Sequence, residues 1–190
     1  MAFAGLILAG GEGRRFGGPK AFARLPDGRT FLEACCGTLA AAGARPVAAT
    51  LPSRHAGHEL PGLRQIPLPG PGLDMLASLR WGLRHLFSET SWNAVVVLPV
   101  DHPLVGAPAI LALAAVGAAV VVPCYNGKHG HPILLGRELA GRVARDEIAG
   151  ATLREILRTV GPVDVAVDDP GVVANCNTPE ALRRWLERLG

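Results

Sequence analysis

The chain has 190 residues and a mass of 19.8 kDa, which suits one domain and leaves two near the small limit. Apolar residues make up 49% and charged residues 18%, a balance that supplies a core and excludes a disordered chain. A net charge of +3 and a pI near 8.9 are too mildly basic to imply a nucleic-acid partner without a localised patch.

Residues 3–9, FAGLILA, are an unbroken apolar run that stops at Gly10, and they predict a buried strand. A helix is expected over 30–43 and a second strand over 46–50, with LRQIP a short third strand. Over 73–87, Leu76, Leu79, Leu83 and Leu86 recur at steps of three and four, which puts them on one face of a helix. AVVVLPV at 94–100 is a continuous, largely β-branched run, as a central strand covered on both faces requires. A helix near 106–116 leads to a strand at 118–124 and another at 131–136. Helices follow at 137–144 and 150–159, extended segments at 163–167 and 171–176, and a last helix at 178–189. Thr178 fits the N-cap of that helix and Pro179 its first turn. The alternation predicts an α/β fold: a single Rossmann-like, three-layer domain over residues 1–190 with a mostly parallel central sheet. Ligands on such sheets bind beyond the carboxyl ends of the strands, so loops 10–20, 99–105 and 123–131 are the informative ones.

The first of these loops places Gly10, Gly11, Gly13, Gly17 and Gly18 beside Arg14, Arg15 and Lys20. Glycines let backbone N–H groups approach an anion, and the cations balance phosphate charge. Lys20 and Lys128 are the only lysines in an arginine-rich chain. A P-loop is excluded because Pro19 precedes Lys20 and Ala21 follows it, leaving no hydroxyl for magnesium. The dinucleotide fingerprint is off by one residue and interrupted by Pro19. Asp101 ends the central strand, where a carboxylate can hold Mg²⁺ or simply cap a turn. Asn175 and Asn177 offer neutral oxygens before the last helix, where capping is the competing role.

The segment LAGGEGRRFGGPK resembles the nucleotidyltransferase signature L-A-G-G-x-G-x-R-x-G-x-x-K. More narrowly, the chain is similar to the MobA/MocA-like enzymes that attach a nucleotide to molybdopterin. The resemblance implies a nucleotide-diphospho-sugar transferase type of fold and transfer of a nucleoside monophosphate to the terminal phosphate of the acceptor, with pyrophosphate leaving. It implies that Leu8, Ala9, Gly10, Gly11, Gly13 and Lys20 hold the nucleotide, and that Arg15 and Lys20 act on its phosphates. Asp101 would bind Mg²⁺, with Asn177 completing the metal site and Asn175 a helper. Ser78, which the apolar face of its helix does not require, would contact base and ribose. Lys128 and His131, in NGKHGHP, would lie near the acceptor; a structural histidine at a strand start fits His131 equally. His102 is given no role.

LAGG leans to the guanylyl branch, whereas SLRWGL and GHP lean to the cytidylyl branch, which slightly favours CTP over GTP. The implied partners are a nucleoside triphosphate and a phosphorylated small molecule, molybdopterin by resemblance, with a molybdoenzyme or its chaperone as recipient. Neither nucleic acid nor a membrane is expected. A sugar-phosphate nucleotidyltransferase and a non-catalytic nucleotide- or cofactor-binding module are the alternatives. His55 and His58 read as a solvated loop, and Cys124 and Cys176 as buried thiols. Cys35, Cys36, Cys124 and Cys176 contain no C-x-x-C pair, so neither a disulfide framework nor a zinc site is expected. The absence of a transmembrane run and of a secretory pattern at the N-terminus points to the cytoplasm.

Overall fold

The computed structural model describes residues 1–11, 13, 16, 18–57, 60–88 and 92–189. Eight strands form one sheet: β1 (Phe3–Leu8), β2 (Val47–Pro52), β3 (Leu63–Leu68), β4 (Ala94–Pro99), β5 (Val120–Tyr125), β6 (Lys128–His129), β7 (Ile133–Gly136) and β8 (Val163–Ala166). Their order is β3-β2-β1-β4-β7-β5-β6, with β8 also pairing β5. Strands β3, β2, β1 and β4 are mutually parallel, as are β5 and β8. The mostly parallel expectation therefore holds, with β7 running antiparallel between β4 and β5 and β6 folding back on β5 as a short hairpin.

Among the described residues six helices cover the sheet: α1 (Phe31–Ala41), α2 (Met75–Leu86), α3 (Ala107–Ala114), α4 (Arg137–Ala144), α5 (Leu153–Val160) and α6 (Pro179–Leu189). The period of two sorts even the continuous apolar strands. Phe3 and Ile7 of β1 enter the core beneath α1 and α3, whereas Ala4, Leu6 and Leu8 enter the core beneath α2, α4 and α5. In β4, Val96 and Leu98 face the first core and Val95 and Val97 the second. Leu76, Leu79, Leu83 and Leu86 all lie in the second core, as their spacing requires. Burial of each stabilises the fold by about 1.5–3 kcal/mol. Trp185 and Leu182 of α6 are partly buried against the first core.

Local chemistry sets the helix ends. Thr30 and Glu33 form a reciprocal capping box on α1, Asp74 caps α2 by accepting from Ala77 N, and Thr178 accepts from Ala181 N at the start of α6. One expected extended segment is different: Pro170–Val173 is a 3₁₀ turn. Asp169 causes it, because one carboxylate oxygen accepts from Gly171 N and the other from Gly106 N, both at 2.8 Å.

The chain leaves β1 through α1 to β2 and β3 on one side, then crosses back through α2 to β4 on the other. The order therefore reverses between β1 and β4, and their carboxyl ends flank the crevice where ligands of open α/β sheets bind. Val100 N donates to Leu8 O at 3.1 Å, so the two strands stay paired up to the point where their loops diverge. Among the described residues no helix is long and apolar enough to cross a membrane.

Candidate active site

The glycine loop leaves β1 at Ala9, whose N–H donates to Thr50 O at 3.1 Å. Gly10 is wedged between Leu68 and Ser78: a β-carbon there would come 2.5 Å from Leu68 Cδ1 and 3.4 Å from Ser78 Oγ. Ser78 is buried, on the face of α2 that looks at this loop. Gly13 has φ +60°, and a β-carbon on it would come 1.9 Å from Gly18 O. Its carbonyl accepts from Phe16 N at 2.7 Å, folding the loop back on itself. Among the described residues, nothing lies within 4 Å of a β-carbon position on Gly11. Arg15, with Glu12, Arg14 and Gly17, lies outside the described residues, as does His58.

The loop ends in a 3₁₀ turn, Lys20–Phe22, that aims Lys20 across the crevice. Lys20 Nζ donates to Asp101 Oδ2 at 3.3 Å and to Asn177 Oδ1. Side-chain exposures of 21% and 17% for Lys20 and Asp101 make this a half-sheltered contact, not a free surface pair. The main chain holds the arrangement together: Cys176 N donates to Asp101 O at 2.7 Å, locking the segment before α6 onto the turn after β4. Three segments far apart in sequence thus meet at the carboxyl ends of β1 and β4. Asn175 does not join them; it is exposed and lines the neighbouring cavity.

That cavity, about 1030 Å³, lies beside β5, β6 and β7. Lys128, His131, His102, Arg154 and Arg158 line it with Leu157, Val122 and Ile133. The Lys128 side of the wall is the exposed β5–β6 hairpin, where His129 Nε2 lies 2.8 Å from Asp164 Oδ2 of β8. His131 N donates to Val172 O at 2.8 Å, tying the wall to the 3₁₀ turn. The His102 and His131 rings meet edge to face, centroids 4.9 Å apart, and Nδ1 of each is buried without a partner among the described residues. Burial lowers both pKa values, that of His131 to about 4 with the neighbouring His102 adding to the effect, so His131 is neutral at pH 7.

Cys35 and Cys176 offer no nucleophile. Burial, reinforced by the nearby Asp101, raises the Cys35 thiol far above its ordinary range and pushes Cys176 up to about 12. Cys124 is half-buried and Cys176 fully so. Among the described residues no group of three or more His, Cys, Asp or Glu could hold a metal by itself. His55 is not fully solvated, since its ring packs 5.5 Å from that of Phe22.

Sequence reasoning passed over His102, Arg154 and Arg158. The two arginines carry a signal, four residues apart on one face of α5. His102 carries none, because its contact with His131 is made only by the fold.

Residues 5–165 match the MobA-like NTP transferase domain. The chain belongs to this family. The molybdenum cofactor guanylyltransferase of Cereibacter sphaeroides is 33% identical to it, over 97% of this chain and 95% of its own length. A probable molybdenum cofactor guanylyltransferase of Mycobacterium tuberculosis is 32% identical, over 98% and 94%. Among solved structures, Rv0371c of Mycobacterium tuberculosis superposes with a TM-score of 0.80 at 25% identity, covering 98% of each chain. Rv0371c has also been solved in complex with manganese. The α/β fold with its mostly parallel sheet is thus that of MobA-like nucleotidyltransferases.

Proposed function

We propose that this chain, as one transferase domain over residues 1–190, transfers a nucleoside monophosphate from a nucleoside triphosphate to the terminal phosphate of molybdopterin, releasing pyrophosphate. One observation carries the reading: Lys20, Asp101 and Asn177 converge at the switch point of the sheet, beside a glycine loop. A carboxylate oxygen and an amide oxygen that already face an ammonium group suit a hard divalent cation, and Mg²⁺ needs only one or two protein oxygens when phosphates and water supply the rest. Bound there, it would neutralise the charge that builds on the phosphates and orient them for in-line displacement. Asp101 and Asn177 would hold it.

Leu8, Ala9, Gly10, Gly11 and Gly13 would present main-chain groups to the nucleotide. Ser78 would face the ribose and base beside Gly10. Lys20 and Arg15 would bind the phosphates and the departing pyrophosphate. Lys128, Arg154 and Arg158 would receive the acceptor's phosphate, and His131 would shape the cavity wall as a neutral ring. The acceptor's phosphate monoester has a second pKa of about 6. It is largely a dianion at pH 7 and attacks without a protein base or a covalent intermediate.

Two finer points draw on different support. The cavity's size and its apolar Leu157, Val122 and Ile133 favour a flat heterocyclic acceptor over a compact sugar phosphate. The guanylyltransferase relatives favour GTP over the CTP suggested by the GHP segment, and the manganese complex of Rv0371c supports a divalent metal. Transfer in the cytoplasm, with a molybdoenzyme or its chaperone receiving the product, completes the reading.

The test is a thermal-shift panel of GTP, CTP, ATP, UTP and NADP, each with and without Mg²⁺. A ligand at 100 times its Kd adds about 2.7 kcal/mol, which for this size raises Tm by about 5–11 °C. A Mg²⁺-dependent shift with GTP is expected. A shift with NADP alone would overturn the reading.

A further inference from the structure

We infer that Lys20 and the divalent cation are alternative occupants of one place: without nucleotide the Lys20 ammonium stands between Asp101 and Asn177 where the metal would bind, and it moves to the phosphates as the metal–nucleotide pair enters. The inference rests on Asp101 and Asn177 being the metal-holding pair.

The geometry is specific. One nitrogen, Lys20 Nζ, engages both oxygens that a metal would need, Asp101 Oδ2 and Asn177 Oδ1. Asn177 has a single side-chain oxygen, so it has no second atom to offer a metal while the first is taken. A divalent ion on the same two oxygens would share them with the ammonium, and the two cations would repel. The pair cannot readily part to admit both, because Cys176 N holds Asp101 O at 2.7 Å and fixes the spacing of the two segments.

Lys20 itself can leave. Its main chain is anchored, with its carbonyl accepting from Ala23 N at 3.0 Å, but its charge rides on a flexible four-carbon stem beside the glycine loop. A triphosphate in that loop offers the ammonium new oxygens and frees the old ones. Metal and nucleotide therefore assist each other's binding, and by linkage the assistance is reciprocal.

The test measures Mn²⁺ binding without nucleotide, by the electron paramagnetic resonance signal of the free ion. The proteins are wild type, Lys20→Met, Lys20→Arg, Asp101→Asn and the double variant Lys20→Met/Asp101→Asn, each first shown by circular dichroism to be folded. Lys20→Met is expected to bind Mn²⁺ at least about tenfold more tightly than wild type. Lys20→Arg keeps the charge and should gain nothing, and adding Asp101→Asn should erase the gain. In a companion titration Mn²⁺ should strengthen binding of α,β-methylene-GTP more in wild type than in Lys20→Met.

Equal or weaker Mn²⁺ binding by Lys20→Met would overturn the exchange. If Asp101→Asn nevertheless abolished Mn²⁺-dependent binding of the analogue, the metal pair would stand without it. If Asp101→Asn altered Mn²⁺ binding in neither setting, the metal pair would fall and the exchange with it.

Discussion

Replacing Gly13 by alanine tests how the glycine loop is built. At φ +60° an L-residue costs about 1–2 kcal/mol. The added β-carbon would also lie 1.9 Å from Gly18 O and 2.7 Å from Lys20 N, where real contacts stay beyond 3.0 Å. Both neighbours are main-chain atoms, so no rotamer change relieves the clash and the loop must open by about 1 Å. The opening displaces Lys20, and a 1 Å misplacement of a positioning group costs about 10²-fold in rate. Gly13→Ala should therefore lower Tm by about 2–8 °C and turnover by about 10²-fold. Gly11→Ala is the control: with no described atom within 4 Å of its β-carbon position it should melt like wild type. Differential scanning fluorimetry and a pyrophosphate-release assay read the two quantities. A Gly13→Ala protein within twofold of wild-type turnover and with an unchanged Tm would show that the loop accepts a β-carbon there and does not position Lys20 in this way.

Three further outcomes follow from the site. Asp101→Asn should reduce turnover by about 10²–10³-fold, while its half-sheltered ion pair with Lys20 is worth no more than about 1 kcal/mol of stability; an active variant in the pyrophosphate assay would remove Asp101 from the site. His131 has a folded-state pKa of about 4 against an ordinary 6.5, so the unfolded chain takes up the proton first. Its contribution is complete above about pH 6.5 and is lost as pH falls toward 4, roughly 3 kcal/mol in all. Urea unfolding at pH 7 and pH 4.5 should show His131→Gln losing less stability than wild type; equal losses would count against a buried neutral ring. Arg154→Ala and Arg158→Ala should each raise the acceptor KM about tenfold and leave nucleotide affinity unchanged, and a matching loss of nucleotide affinity would show that the cavity is not a separate acceptor site.

The strands flanking the crevice are legible in the sequence because β1 and β4 are buried on both faces and so read as continuous apolar runs. The leucines of α2 and the cap at Thr178 are legible for equally local reasons. Strand direction is not: ILLG, buried on both faces, looks the same whether it runs parallel or antiparallel, so the reversal at β7 comes only from the fold. GVVANC looks extended because of its β-branched pair, but the Asp169 carboxylate bonds the main chain locally and turns Pro170–Val173 into a 3₁₀ helix. In the site, Lys20 and Asp101 stand out by residue type and by position after strands, and Asn177 through the resemblance of its segment to the family. Their mutual contact spans 81 and 157 residues of sequence and cannot be read from spacing. His102 and His131 meet for the same long-range reason, and the cavity they line exists only where α5 and the β5–β6 hairpin come together.

Nucleotidyl transfer to an acceptor phosphate leaves the α-phosphorus of the donor on the acceptor. It is tested most directly by incubating the protein with Mg²⁺, molybdopterin and GTP labelled at the α-phosphorus, then locating the label. Label is expected on molybdopterin in a dinucleotide, with one pyrophosphate released per label transferred and none without acceptor. Label left in GTP, released as GMP, or bound covalently to the protein would contradict it.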